Sequence, residues 1–273
     1  MKKLQRVLLF ALIQSLFSPL VLANTATLVP LPSVDDFSKG EDGWSFGLGF
    51  GVEYETAYEG SDEFGLEIEP AGGLQWRQGN DVLFFAGEAI GWRGAYEQGW
   101  FFEVVVGFDE GRKESDSDEG WLKGLGDQDE GAELVLQARR ALDNDWRNWL
   151  VGRVVTSADG NLGLFGVGHR FGTQNDGTGS EVNVVAVFHD SKYANKGFGI
   201  NAIQAMSSGL DKTMLSGGLR SVGVNYNFRN QVADNWQVYG EALFEYFAEE
   251  VRESPIARNN YEAEIGAGFI YIF

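Results

Sequence analysis

The chain has 273 residues, with 40 Asp and Glu against 21 Lys and Arg and a formal net charge of −19. That balance excludes nucleic acid as a partner, because a phosphate backbone needs clustered basic residues. The absence of cysteine excludes disulfides, thiol catalysis and thiolate metal sites.

At the N-terminus, Lys2, Lys3 and Arg6 precede an apolar run from Val7 toward Leu22 that closes on Val21-Leu22-Ala23. Basic, apolar and small residues in that order predict a secretory signal peptide cleaved after Ala23. Residues 24–43 are then expected to form a periplasmic segment and 44–273 the folded domain. After residue 23 no apolar stretch approaches the ~20 residues of a transmembrane helix, so any entry into a membrane is by strands.

From Trp44 onward the chain alternates with period two. Trp44, Phe46, Leu48, Phe50, Val52 and Tyr54 share one face, against Ser45, Gly47, Gly49, Gly51 and Glu53. Phe64, Leu66, Ile68, Leu74 and Trp76 then oppose Glu67, Glu69, Gln75 and Arg77, and Trp100, Phe102, Val104, Val106 and Phe108 oppose Phe101, Glu103 and Val105. Leu134, Leu136 and Ala138 oppose Glu133, Gln137 and Arg139; Val222, Val224, Tyr226 and Phe228 oppose Asn225 and Asn227. Trp236, Val238, Ala242, Phe244 and Tyr246 oppose Gln237, Glu241 and Glu245. Last, Tyr261, Ala263, Ile265, Ala267, Phe269, Tyr271 and Phe273 oppose Glu262, Glu264, Gly266 and Gly268. Weaker segments at 81–92, 146–156, 162–171, 180–190 and 197–205 complete a set of about 12 strands, many of the ~9–13 residues that cross a bilayer at a tilt. One oily and one polar face per strand fits a wall between lipid and an aqueous lumen.

The expected fold is therefore all-β, a transmembrane antiparallel up-and-down barrel in the outer membrane with both termini periplasmic. Connections near 55–63, 93–98, 142–145, 172–179, 206–216 and 248–260 then fall outside the cell, and 78–80, 109–130, 157–161, 191–196 and 229–234 inside. The acidic connection 109–130 is long for a periplasmic turn, which points to a different strand pairing, a periplasmic element, or a segment folded into the lumen. Phe269, Tyr271 and the final Phe273 resemble the carboxy-terminal signal read by the barrel-assembly machinery.

Several stretches, in order along the chain, resemble the MipA/OmpV family of outer-membrane proteins. They are Trp44-Ser-Phe-Gly-Leu-Gly-Phe-Gly51, Tyr58-Glu-Gly-Ser-Asp62, Leu122-Lys-Gly-Leu125, Asp190-Ser-Lys-Tyr193 with Gly197-Phe-Gly199, and Ser254-Pro-Ile256. The resemblance implies a barrel that scaffolds rather than catalyses. Its expected partners are a lytic transglycosylase and a penicillin-binding protein, besides outer-membrane lipid and lipopolysaccharide. It implies no catalytic residue and no cofactor.

The residues support little chemistry. His189-Asp190-Ser191 cannot converge, since consecutive strand residues face opposite ways, and His169 stands beside Arg170. A lipid hydrolase is the weakest reading. Asp116-Ser-Asp-Glu-Gly120 and Asp127-Gln-Asp-Glu-Gly131 lack the ligand pattern of a calcium loop. They bracket Trp121, Leu122 and Leu125, apolar residues that either dock a periplasmic partner, plug the lumen or tuck under the rim. Glu53, Glu67, Glu69, Glu245, Glu262 and Glu264 are expected to face inward at the extracellular mouth, with Arg258 and Arg77 as candidate partners. Such a mouth would attract cationic solutes, which makes a channel or binding barrel for small cations or cationic antibiotics the alternative to a scaffold.

Overall fold

The computed structural model describes residues 41–273 apart from 88, 97–98, 110 and 172–178; the leader and nearly all of 24–43 lie outside the described residues. The strands are β1 (Gly43–Thr56), β2 (Phe64–Gln78), β3 (Asp81–Ala86), β4 (Ala89–Tyr96), β5 (Trp100–Asp109), β6 (Gly131–Ala141), β7 (Asn148–Ser157), β8 (Gly160–Phe171), β9 (Gly179–His189), β10 (Gly218–Ala233), β11 (Trp236–Phe247) and β12 (Tyr261–Ile272). Each pairs antiparallel with its neighbour in sequence, and β1 closes on β12, with Gly47 opposite Ile272 and Glu55 opposite Glu264.

The packing is inverted relative to a water-soluble protein. On β10, outward Val224 is 42% exposed whereas inward Asn225 is 5% exposed. Phe50, Val104, Phe165, Val184 and Phe244 are likewise exposed, and Gln75, Glu103, Gln137, Arg139, Glu181, Asn183 and Arg229 are buried. A water-filled pore would leave those inward polar groups wet. They instead fill the interior, with Arg139 and Arg170 on Glu181 at 3.6 and 2.7 Å. On the β6–β9 side an apolar cluster packs beside these polar groups: Val135, Trp149, Val151, Val155, Leu162, Leu164, Val185 and Val187 are buried together. Of these strands, β7, β8 and β9 carry apolar residues on both faces, which is why their alternation reads weakly in sequence.

The strand count agrees with expectation, but two assignments behind it change. The segment 81–92 is two strands, β3 and β4, paired through Ala86 and Ala89, with Gly87 at φ +57° turning the chain. The segment 197–205 is not a strand. It belongs to a connection carrying α1 (Ser191–Phe198) and α2 (Ala202–Ser208). Asp190 caps α1 by accepting from the Tyr193 N–H, and Asn201 and Gln204 form a reciprocal capping box on α2. One strand gained and one lost leave the total unchanged while reversing the end to which every connection between them belongs. The facing ends of β4 and β5, of β6 and β7, and of β8 and β9 thus lie with Gly43 and Phe273, together with 79–80 and 234–235. The long connections 57–63, 111–130, 190–217 and 248–260 all gather at the opposite end. The anomaly of a long turn among short ones disappears.

The β3–β4 hairpin is also short. β2 pairs with β1 from Phe64 to Arg77 but with β3 only from Gly73 to Gln78. The ladder therefore has a notch above that hairpin, flanked by Leu66, Glu67 and Ile68, all exposed. Pro70, which has no N–H to offer, lies in this stretch, the kind of strand position that tolerates proline.

Inserting a charge on the outer face is the direct check of the inversion. Val224→Arg is expected to lower the unfolding free energy in lipid vesicles by about 2–4 kcal/mol, measured by urea titration of tryptophan emission. An unchanged midpoint would contradict a lipid-facing Val224.

Candidate functional site: a folded cap on an acidic mouth

The four long connections fold together into a cap with its own core. Tyr58, Leu122, Leu125, Ala194, Phe198, Ile200, Leu215, Phe247, Val251 and Ile256 are buried in it, and Trp121 packs at its edge. Leu122 is 0% exposed, so of the three apolar residues in the acidic connection, Leu122 and Leu125 face the cap interior rather than a free surface. Polar contacts tie the segments to one another. The Trp121 indole donates to the Pro255 carbonyl at 2.8 Å, Gln204 to the Leu125 carbonyl at 2.8 Å, and the Ser254 hydroxyl to the Phe198 carbonyl at 2.6 Å. Arg112 donates to the Gly197 carbonyl at 2.6 Å. Arg258 pairs with Asp62 at 3.2 Å and lies 4.1 Å over the Trp121 ring. Burial pushes the Tyr58 phenol up to about 12. Glu250, accepting from the Ser216 N–H at 2.6 Å, is held below the usual carboxylate range. Burial works against the Lys196 charge, yet Asp109 and Asp159, at 3.0 and 3.1 Å, keep its pKa above the ordinary value.

The acidic repeats serve the loop itself. Asp116 accepts from the Lys113 N–H, Asp127 from the Glu114 N–H, and Glu114 from the N–H groups of Gly124 and Gly126. Glu63, at the start of β2, takes the Ser117 hydroxyl and the Asp118 N–H. Carboxylates in such a loop replace backbone partners that no ladder supplies.

Beneath the cap sits a cation that alternation alone would misplace. Arg220 has the parity of outward Val222 and Val224, but the β9–β10 register slips between Leu219 and Ser221. This bulge turns both Arg220 and Ser221 inward, where both are fully buried. Arg220 reaches Glu59 from the first cap segment, Glu245 on β11 and Glu262 on β12, the last two at 3.6 Å. The rings of Phe198 and Phe247 lie 6.0 and 5.9 Å from its guanidinium. Glu245 stands directly opposite Glu262 in the ladder, a like-charge pair that is costly unless a cation answers it.

The structure divides the six expected mouth glutamates. Glu245 and Glu262 join Arg220. Glu53 and Glu264 gather with Glu55, which the sequence reading leaves out, with one oxygen of each within 4.8 Å of the others. Glu67 is opposite Glu53 in register but opens to solvent at the notch, and half-buried Glu69 stands opposite Gly51, one inward position further from the mouth. Neither expected arginine serves them. Arg258 belongs to Asp62, and Arg77 sits at the terminal end, donating to the Gly79 carbonyl. At that end Phe269 meets Phe50 and Trp236 at 4.3 and 5.4 Å, Tyr271 meets Trp236 at 5.1 Å, and Phe273 meets Phe46 at 5.2 Å, closing an aromatic girdle. His169 contacts the Asn148 amide at 2.8 Å, and His189 is buried at the opposite end of the barrel.

A family model described as MltA-interacting protein MipA matches residues 48–273. The chain belongs to the MipA family. It is an outer-membrane barrel protein crossing the membrane by strands. Comparison with curated proteins finds no match. Among solved structures, the Pseudomonas putida toluene transporter TodX is 9% identical, with 91% of this chain and 95% of that chain covered and a TM-score of 0.41. The NanC porin is 11% identical, with 82% and 98% covered and a TM-score of 0.40. The β domain of the Bordetella autotransporter BrkA is 11% identical, with 84% and 99% covered and a TM-score of 0.40. At these scores the likenesses add nothing to what the strand register establishes. The short motifs that resemble the MipA family in loops, from Tyr58-Glu-Gly-Ser-Asp62 to Ser254-Pro-Ile256, all meet in the cap.

Removing the buried cation tests the arrangement. Arg220→Met is expected to destabilise the cap by about 3–5 kcal/mol, because Glu245 and Glu262 lose their counter-charge. Arg258→Met, at an exposed pair, should cost about 1 kcal/mol or less. Proteolysis of the 190–217 connection in detergent reads both; equal protection of the two variants would refute the role given to Arg220.

Proposed function

We propose that this MipA-family barrel is a non-enzymatic scaffold that holds murein-remodelling enzymes at the outer membrane rather than a route for solute. The observation that carries the reading is closure. Inward side chains fill the lumen from β1 to β12, and the cap core, with Trp121, Leu122 and Leu125 as its plug, covers one end. A pore needs a continuous wet path; a scaffold needs only a rigid body in the membrane and a free face.

On this reading the termini and the turns 79–80, 142–147 and 234–235 face the periplasm, and the cap faces outward. The family description, MltA-interacting protein, makes a lytic transglycosylase the first partner to test, and a penicillin-binding protein the second. Lipopolysaccharide contact and delivery by the assembly machinery, through Phe269, Tyr271 and Phe273, belong to the same proposal, as does export by a leader cleaved after Ala23. The alternative, a gated channel or binding barrel for cationic solutes, is favoured by the glutamates at the mouth and the notch beside Glu67. It requires the cap to lift.

Two measurements on the full chain separate them. Capture from crosslinked envelopes is expected to bring down a lytic transglycosylase, and planar bilayers holding the purified protein are expected to stay silent. Steady cation-selective conductance without capture would give the channel reading instead.

A further inference from the structure

The first and last strands meet at β1–β12, the seam that turns a ribbon of hairpins into a barrel. On its inner face Glu55 stands directly across from Glu264, and Glu53 lies one inward position further down β1. Carboxylates directly opposite on neighbouring strands repel. In this ring Arg220 is engaged by Glu59, Glu245 and Glu262, and no Lys or Arg among the described residues is in ion-pair contact with Glu53 or Glu264.

The oxygens of Glu53, Glu55 and Glu264 nevertheless converge within 4.8 Å. A second observation concerns Glu53 by itself. Its side chain is 5% exposed, and its Oε1 is cut off from solvent and accepts no hydrogen bond. A buried carboxylate oxygen with no donor is costly unless a group of opposite charge occupies the point at which it is aimed.

We infer that Glu53, Glu55 and Glu264 form a divalent-cation site that clips the barrel seam, with calcium the best-fitting ion. An all-carboxylate donor set selects a hard cation. Two oxygens on opposite sides of a calcium ion are separated by about 5 Å, and the trio lies inside that spacing. The irregular geometry of side chains from two strands suits calcium better than magnesium, which demands a regular octahedron. Glu67, opposite Glu53 in register and exposed at the notch, offers the entry. A bound ion would join the two ends of the sheet just where register alone holds them. The site stands whether or not the barrel is a scaffold.

The competing arrangement is a proton shared between Glu53 and Glu264, which also lets the two carboxyl groups approach. Isothermal titration of the purified full-length protein with calcium chloride at neutral pH distinguishes them. We expect one ion per barrel, and a higher unfolding midpoint in calcium than in EDTA, read by the gel-mobility shift of the heated protein. Glu53→Gln and Glu264→Gln should each weaken binding about tenfold or more by lowering the ligand charge. Glu250→Gln, in the cap, should bind as the unsubstituted protein does. Absence of saturable calcium binding, or equal binding by the Gln variants, would overturn the site. If a Gln variant does not fold, stoichiometry and the calcium-dependent midpoint of the unsubstituted protein decide in the same way.

Discussion

In hydrocarbon no water is available to a peptide group, so every backbone N–H and C=O of a membrane-spanning strand must be paired within the protein. Closing β1 on β12 meets that demand where, among the described residues, no helix is long and apolar enough to span. The side-chain pattern follows from it. Once the ladder is closed, alternate residues point to lipid and to the interior, and the chain is selected for apolar residues on the first set. The seam is built for close approach: a Cβ at Gly49 would fall 1.7 Å from the Phe269 carbonyl oxygen. The notch above β3–β4 is the exception, and the same constraint places it outside the hydrocarbon. Strand edges are not left facing lipid, and Glu67 is exposed there.

The interior then has to be filled. A narrow barrel can do so with side chains alone, and this one uses two kinds of filling. Valines, leucines and Trp149 form an apolar cluster on the β6–β9 side, while buried arginines, glutamates and amides pack beside it and around the rest of the interior, with Trp149 donating to Asn183 at 3.1 Å. Buried ion pairs of this type add little net stability, but removing one partner is expensive. Beneath the cap Glu59, Glu245 and Glu262 are met by Arg220, and a single-residue bulge decides whether that arginine faces lipid or glutamate.

Much of the fold was legible from alternation. The strands whose inner face is polar or glycine, such as β1, β10 and β12, read clearly because their two faces differ. The helices of the 190–217 connection were hidden because Phe198, Ile200, Ala202 and Ile203 also sustain a partial alternation. The better signals there were Asp190 before α1 and the Asn201–Gln204 capping box, local hydrogen-bond signatures that hydrophobic period does not register. The β3–β4 hairpin was missed because Gly87 sits in an otherwise apolar run without an Asn-Gly or Asp-Gly pair. Of the candidate site, the glutamates were readable and their partner was not. Arg220 has outward parity, and nothing in a period-two pattern announces a bulge. Leu122 and Leu125 stood out as apolar residues among charges, but which surface covers them depends on three other connections.

The account rests on lipid covering one face of each strand while the other is packed dry. Val184 and Val185 test this with identical side chains, the first 47% and the second 1% exposed. Because the chain has no cysteine, Val184→Cys and Val185→Cys variants can each carry a single fluorescent thiol label in vesicles containing brominated lipid. Strong quenching is expected at 184 and weak or none at 185. Equal quenching, or the reverse order, would contradict it.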